Sequence, residues 1–200
     1  QEQAAKRRFQ LRTEINGVRT AIHETMHSIS PPVLAGDRTY YSTDIGRFIE
    51  EGLVELQARR KVVRLVSHTD WVPSITLSDS YPTEVSAMLE IERLAGTQAL
   101  ERIWNATSLA ARTREVGEAL RAEAYRQAEQ ALDRIARKRK PSALEQRLLA
   151  DRNRILHKIN TVDGYFIGQY IKRAWNAQLN RFDFGFDRNP RELDLFVRPL

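Results

Sequence analysis

The stretch AIHETMHSIS contains three residues whose types and spacing suit metal chemistry, His23, Glu24 and His27. On a helix, residues four apart differ by about 40° around the axis and one turn along it, so both imidazoles can bind one ion. Glu24 follows the first histidine, where its carboxylate can reach a water bound to that ion. In H-E-x-x-H sites two neutral imidazoles hold zinc and the glutamate takes the proton of this water. The alternative is a surface helix that matches the pattern by chance.

A catalytic zinc ion usually has a third protein ligand and an open position. The candidates are Glu50, Glu51 and Glu55 in the segment RFIEEGLVEL. Glu51 and Glu55 are four apart and share a helix face, so one can bind the metal while the other supports a ligand histidine; Glu50 is expected to point elsewhere. The alternative is that all three are solvated helix charges.

HETMH followed by Glu51-Gly52 and Glu55 resembles the gluzincin zinc metallopeptidases, which include thermolysin-like and aminopeptidase-like enzymes. In that family the third ligand is a glutamate on the helix after the H-E-x-x-H helix. The resemblance implies that Glu51 joins His23 and His27 around one Zn²⁺ per chain. It also implies that Glu55 orients a ligand histidine, which we expect to be His23.

A tyrosine much later in the chain extends the resemblance. Tyr165 and Gly168 form Y-x-x-G within VDGYFIGQY. Aminopeptidase-like gluzincins carry a catalytic tyrosine in such a stretch, so the resemblance implies that Tyr165 stabilises the oxyanion. His68 and Tyr81 are candidates for contacts with the substrate, although Tyr81 also suits a packing role at a helix start.

Two departures from the family pattern bear on the substrate. The match covers three short stretches within residues 21–168, and the gap from Glu51 to Tyr165 is longer than aminopeptidase-like enzymes show. The family places its substrate-aligning edge strand upstream of the motif helix, whereas only 22 residues precede His23. We therefore expect a fragment of a longer chain, whose upstream segments supply this edge. G-x-M-E-N, the exopeptidase signature, is absent, which leaves endopeptidase and exopeptidase action open.

Helical periodicity surrounds both parts of the predicted site. Apolar residues from Ile15 to Ile29 recur at steps of three and four, which predicts an amphipathic helix that ends at Ser30-Pro31-Pro32. Asp44 is expected to cap a second helix over residues 45–60, which carries the three glutamates. Further helices are predicted over residues 83–95, 98–110, 114–140, 142–159 and 162–176, with mixed structure over 61–80 and an irregular aromatic tail over 182–200.

The fold expected from these patterns is mostly α, a zincin-like helical catalytic domain with little or no β-structure, in one domain over residues 1–200. A hydrophobic content of 42% supports a buried core. The sequence contains no cysteine, which excludes thiolate ligands and fits a reducing compartment. It also contains no signal peptide and no apolar run long enough to span a membrane, so localisation stays open.

Five cations between Arg134 and Lys140 form the most basic run in a chain with a net charge of +6. Such a run can bind phosphate groups. Cations also favour a helix C-terminus, here just before Pro141, because they offset the helix dipole. No aromatic residue is interleaved for base stacking, so the sequence does not favour a nucleic-acid partner.

The function predicted from the sequence is zinc-dependent hydrolysis of peptide bonds in peptides or proteins. Glu24 would act as general base and Tyr165 as oxyanion stabiliser. The alternative is a catalytically inactive zincin-like module, structural or for assembly, whose basic helix contacts nucleic acid or a partner protein. A purely structural module would not need Glu24.

Overall fold

The computed structural model describes residues 2–67 and 80–197. Across these residues the chain is mostly helical, with one short antiparallel ladder, as the sequence predicts. The elements are α1 (Glu2–Ser28), α2 (Pro31–Leu34), α3 (Thr39–Ser42), α4 (Asp44–Val66), α5 (Pro82–Ala95), α6 (Thr97–Asn105), α7 (Leu109–Ala136), α8 (Ala143–Ala150), α9 (Arg152–Thr161), α10 (Gly164–Gly168), α11 (Ile171–Ala174), β1 (Trp175–Asn176), β2 (Arg181–Phe182) and α12 (Pro190–Val197).

The two helices that carry the predicted ligands both form and are longer than predicted. α1 begins at Glu2 and ends at Ser28, ahead of the proline pair. α4 is capped by Thr43 rather than Asp44, because the Thr43 hydroxyl accepts a hydrogen bond from the Gly46 N–H at 3.0 Å. It continues to Val66, so the start of the segment predicted as mixed is helical.

Several later boundaries differ from the predictions. The predicted helix over 98–110 ends at Asn105, because Ser108 caps α7 by accepting from the Ala111 N–H at 3.2 Å. The predicted helix over 142–159 is two helices, divided at Asp151. The predicted helix over 162–176 consists of α10, α11 and β1, with Trp175 of β1 opposite Phe182 of β2.

The hydrophobic core joins α4 to the rest of the protein. Ile49 and Leu53 of α4 are fully buried in a cluster with Met88 and Ile91 of α5 and Leu120 of α7. Complete burial of such a side chain stabilises the fold by about 1.5–3 kcal/mol. α4 also packs against α1, so one face of α4 is anchored in the core while another meets the histidine helix. In residues 2–67 and 80–197, every helix is too short or too polar to cross a membrane.

Gly52, directly after Glu51, sets how closely α4 approaches α5. A Cβ atom at this position would lie 2.7 Å from the Glu84 backbone oxygen and 2.9 Å from Met88 Cγ. Because the oxygen belongs to backbone, it cannot move aside as a flexible side chain would. The absence of a side chain at Gly52 therefore permits the close contact between α4 and α5 at the position directly after Glu51.

We predict that Gly52→Ala lowers the free energy of unfolding by about 1–2 kcal/mol, since overpacking outweighs the gain in helix propensity. Gly17→Ala is the matched control, because a Cβ atom there meets nothing within 4 Å. It should raise stability by about 0.5–1 kcal/mol. Denaturant unfolding measures both variants, and a stabilised Gly52→Ala variant would contradict the packing described.

Candidate metal centre

Three side chains from α1 and α4 converge at the contact between these helices. His23 Nε2 and His27 Nε2 lie 3.0 Å apart, and each lies 3.3 Å from Glu51 Oε2. His23 is only 6% exposed, so the triangle of donor atoms is largely removed from solvent. Among the described residues, this is the group whose donor atoms lie close enough together to hold a metal ion.

The dimensions of the triangle suit a tetrahedral zinc ion. With metal–ligand bonds of 2.0–2.2 Å, two ligands of such an ion are separated by roughly 3.3 Å. Glu51 Oε2 is buried and, apart from its ion pairs with the two imidazoles at 3.3 Å, has no hydrogen-bond partner, although a buried carboxylate oxygen normally has one. A cation among the three donor atoms would satisfy this oxygen. Imidazole nitrogen and carboxylate oxygen are also donors that zinc prefers.

The other nitrogen of each histidine is held by a further carboxylate of α4. His23 Nδ1 lies 3.0 Å from Glu55 Oε2, and His27 Nδ1 lies 3.2 Å from Glu50 Oε1. A carboxylate on Nδ1 fixes the ring orientation and keeps the proton there, which leaves Nε2 free to bind metal. The contact of Glu55 is the one the resemblance implied. The prediction that Glu50 points elsewhere is wrong, since Glu50 is 1% exposed and accepts from His27.

Three arginines, of which Arg19 and Arg112 are buried, hold these two supporting carboxylates in turn. Glu55 pairs with Arg19 of α1 and accepts from Arg59 Nε at 2.8 Å. Glu50 pairs with Arg112 of α7. Each carboxylate therefore contacts both a cation and a histidine, which offsets the cost of removing its charge from water.

The charges of the cluster shift its pKa values strongly in the metal-free protein. The carboxylates of Glu51 and Glu55 raise the pKa of His23 to about 9. Burial lowers the pKa of His27, but Glu50 and Glu51 outweigh this effect and raise it to about 9. Burial likewise opposes ionisation of Glu51, yet the two histidines lower its pKa to about 2. At neutral pH these shifts favour protonated imidazole beside an ionised Glu51 carboxylate in the metal-free cluster.

Glu24 and Tyr81 lie at the outer side of this cluster. Glu24 is exposed, one residue after His23 on α1. The Tyr81 ring stacks on the His23 ring with centroids 5.6 Å apart and planes inclined by 4°. Burial and the nearby Glu51 carboxylate, with which the Tyr81 hydroxyl interacts, raise the pKa of Tyr81, and the charges of Glu24 and Glu55 add smaller contributions.

The backbone of Tyr81 is in the left-handed region, with φ 53° and ψ 47°. Bulky residues rarely adopt this conformation, and such strain persists where the surroundings fix it. Here the Ser80 carbonyl accepts from Arg59 Nη2 at 2.8 Å, and the Ser80 hydroxyl accepts from Arg19 Nη2 at 3.1 Å. The two arginines that hold Glu55 thus also hold the residue before Tyr81.

Tyr165, the predicted oxyanion residue, does not join the cluster. Tyr165 is the second residue of α10, which packs on α7, and its 41% exposed side chain lines a surface pocket with Arg114, Phe166 and Tyr170. No lining residue of that pocket belongs to the triangle or its supports. The structure therefore brings Tyr81, and not Tyr165, next to the candidate metal ligands. His68 lies outside the described residues.

Part of the supporting network carried a signal in the sequence. Arg19, His23 and His27 form an i, i+4, i+8 stripe on α1, and Glu51, Glu55 and Arg59 form the same stripe on α4. Extending each stripe by one turn would have found the two arginines. Arg112 comes from α7, and no local pattern connects it to either stripe.

Comparison of the chain with family models, with curated proteins and with solved structures finds no match. The interpretation of the cluster therefore depends on its own geometry and on the resemblance of its motifs.

Metal-free protein should lose stability between about pH 6.5 and pH 9. The histidine pKa values are raised from 6.5 to about 9 on folding, so their contribution is complete below pH 6.5 and disappears as the pH rises through 9. Since one pKa unit corresponds to about 1.4 kcal/mol, the loss should lie between about 3 kcal/mol for one bound proton and about 7 kcal/mol for two.

Zinc should reverse this trend, because it binds neutral imidazole and its stabilising effect grows as protons leave. Denaturant unfolding across this range, with EDTA or with zinc, measures both slopes. The exposed His157 on α9 provides a control, since His157→Ala should alter neither. If the free energy of unfolding changed with pH in the same way with and without zinc, this would contradict metal binding at the histidine pair.

Proposed function

We propose that this protein is a zinc-dependent peptidase of the gluzincin type with a zincin-like helical catalytic domain. His23, His27 and Glu51 would hold one Zn²⁺ ion. The observation that carries the proposal is the triangle of two Nε2 atoms and the buried Glu51 Oε2, beside an H-E-x-x-H glutamate that stays exposed. Peptides or proteins are the proposed substrates.

Glu24 is proposed as the general base. Zinc bound by the three ligands would lower the pKa of a bound water to about 7 and polarise the substrate carbonyl. Glu24 would accept the proton of the attacking water and pass it to the leaving amine. Its position after His23 and its exposure leave the carboxylate accessible to substrate, which supports this role.

Tyr81 is proposed for the oxyanion role that the sequence resemblance assigned to Tyr165. Because its pKa is raised, the phenol stays protonated at neutral pH and can donate a hydrogen bond. Its stacking on His23 fixes the ring beside a metal ligand. A donor held there can stabilise negative charge as it develops on the carbonyl oxygen.

The basic run supports the alternative, an inactive assembly module, only weakly. α7 ends at Ala136, ahead of most of the run. Arg134 pairs with Asp187 at 2.6 Å, and Lys138 pairs with Glu145 at 2.5 Å. Part of the positive charge of the run is therefore neutralised by ion pairs within the protein. The geometry of the metal cluster gives no role to the cations that remain exposed.

Purified protein should contain about one zinc ion per chain by elemental analysis, and Glu51→Ala should lose it. Glu24→Gln should keep the metal and abolish hydrolysis of a peptide library followed by mass spectrometry, because an amide cannot accept the proton. Glu14→Gln, an exposed glutamate on the same helix, is the matched control and should retain activity. Less than about a tenth of an equivalent of zinc after repletion would end the proposal.

Tyr81→Phe should reduce turnover roughly a hundred- to a thousandfold while zinc content and folding stay unchanged, since it removes a donor that acts in the transition state. Tyr165→Phe, measured beside it, should have little effect. The opposite ranking would return the oxyanion role to Tyr165. If neither substitution changed turnover, neither hydroxyl would contribute to stabilisation of the oxyanion.

A further inference from the structure

Arg112 carries a charged side chain that is almost completely buried. It lies on α7, outside both ligand helices, and at 1% exposure it is among the largest fully buried side chains of the described residues. It pairs with Glu50, donates from Nη2 to Ser30 Oγ at 3.0 Å and to the Trp104 carbonyl at 3.2 Å, and lies over the Trp104 ring.

The contacts of Glu50 connect this arginine to the metal cluster. Glu50 Oε2 is the atom that pairs with Arg112, and it also accepts from the Ser30 hydroxyl at 3.2 Å. Glu50 Oε1 faces His27 Nδ1 at 3.2 Å. One carboxylate oxygen is thus held by the scaffold and the other holds the histidine.

Stability alone does not account for this arrangement. A buried ion pair loses its hydration, and replacement of such a pair by apolar residues of similar volume is often neutral or stabilising. The energetic advantage of the pair therefore lies in what it orients. Arg112 contacts Glu50, and Glu50 contacts the imidazole of His27, a proposed metal ligand.

We propose that Arg112 is a positioning residue of the metal centre. From α7 it fixes the Glu50 carboxylate in the orientation that accepts from His27 Nδ1, and so directs His27 Nε2 at the metal. Ser30 and Trp104 fix the guanidinium itself. This inference depends on the zinc site of the proposed function but not on its hydrolytic activity.

The deciding experiment compares zinc binding with stability in the double variant Glu50→Leu/Arg112→Met. Removal of both charges avoids leaving one of them buried and unpaired. The zinc Kd, measured by competition with a chelator, should rise roughly ten- to a hundredfold, as for other residues that orient metal ligands. The free energy of unfolding of the metal-free protein, measured above pH 9 where the contribution of the histidines is lost, should change little, so affinity and stability move independently.

Arg121 offers a matched control on the same helix. It donates to the Ile159 carbonyl at 2.6 Å and to the Val162 carbonyl at 2.7 Å, away from the cluster. Arg121→Met should reduce stability and leave the zinc Kd unchanged. If the double variant does not fold, Arg112→Lys decides, since it keeps a cation without the forked donors and should weaken zinc binding about tenfold.

The outcomes separate the two proposals. A double variant that binds zinc as tightly as wild type would overturn the role of Arg112 and leave the zinc site intact. The same holds for Arg112→Lys with an unchanged Kd. If wild-type protein binds no zinc, the proposed function fails and this inference fails with it.

Discussion

The contact between α1 and α4 brings ionisable groups together that would otherwise repel each other or require water. Two imidazoles and a carboxylate meet with their atoms 3.0–3.3 Å apart, largely out of solvent. His23 is matched with Glu55 and His27 with Glu50, so the order of the residues reverses and the helices run antiparallel. This alignment lets three glutamates of α4 contact the two histidines of α1. The remaining structure provides the partners that make such a cluster tolerable in the interior.

The charge balance of the cluster bears on how one structure could accommodate either protons or a metal ion. The three carboxylates of α4 are opposed by three arginines, Arg19, Arg59 and Arg112. In the metal-free protein protonated imidazole adds positive charge beside Glu51, because the carboxylates raise the pKa of each histidine to about 9. A divalent cation on neutral imidazoles would place positive charge at the same position. The carboxylates that favour protonated imidazole would therefore favour a bound cation as well.

Local patterns in the sequence predicted the parts of the site that lie on one helix face. The i, i+4 spacing of His23 and His27 and of Glu51 and Glu55 is a property of the helix itself, so both pairs converge as expected. Glu50 could not be placed this way. It lies about 100° around α4 from Glu51, and only the packing of α1 across α4 brings it to His27. Breaks such as Asp151, where no proline or glycine interrupts the helical pattern, depend on tertiary packing in the same way.

Long-range placement also separates the two tyrosines. Tyr165 matched a four-letter pattern, but its position depends on how α10 packs on α7, which the pattern does not contain. Tyr81 lacked a motif, yet its left-handed backbone and its stack on His23 place it at the ligands. A strained conformation of a bulky residue was not visible in the sequence, because Ser80, the residue before Tyr81, is held by arginines from two other elements.

The asymmetry of the cluster bears on whether it would act as a structural or a catalytic metal site. Structural zinc sites are usually closed by four protein ligands, whereas catalytic sites have three and an open position. Within residues 2–67 and 80–197, the group suited to a metal comprises His23, His27 and Glu51, and the supporting side is buried against Arg19 and Arg112. The opposite side carries an exposed glutamate and a half-exposed tyrosine. Rigid support behind the candidate ligands combined with access in front would suit the open coordination position of a catalytic site better than a closed structural one.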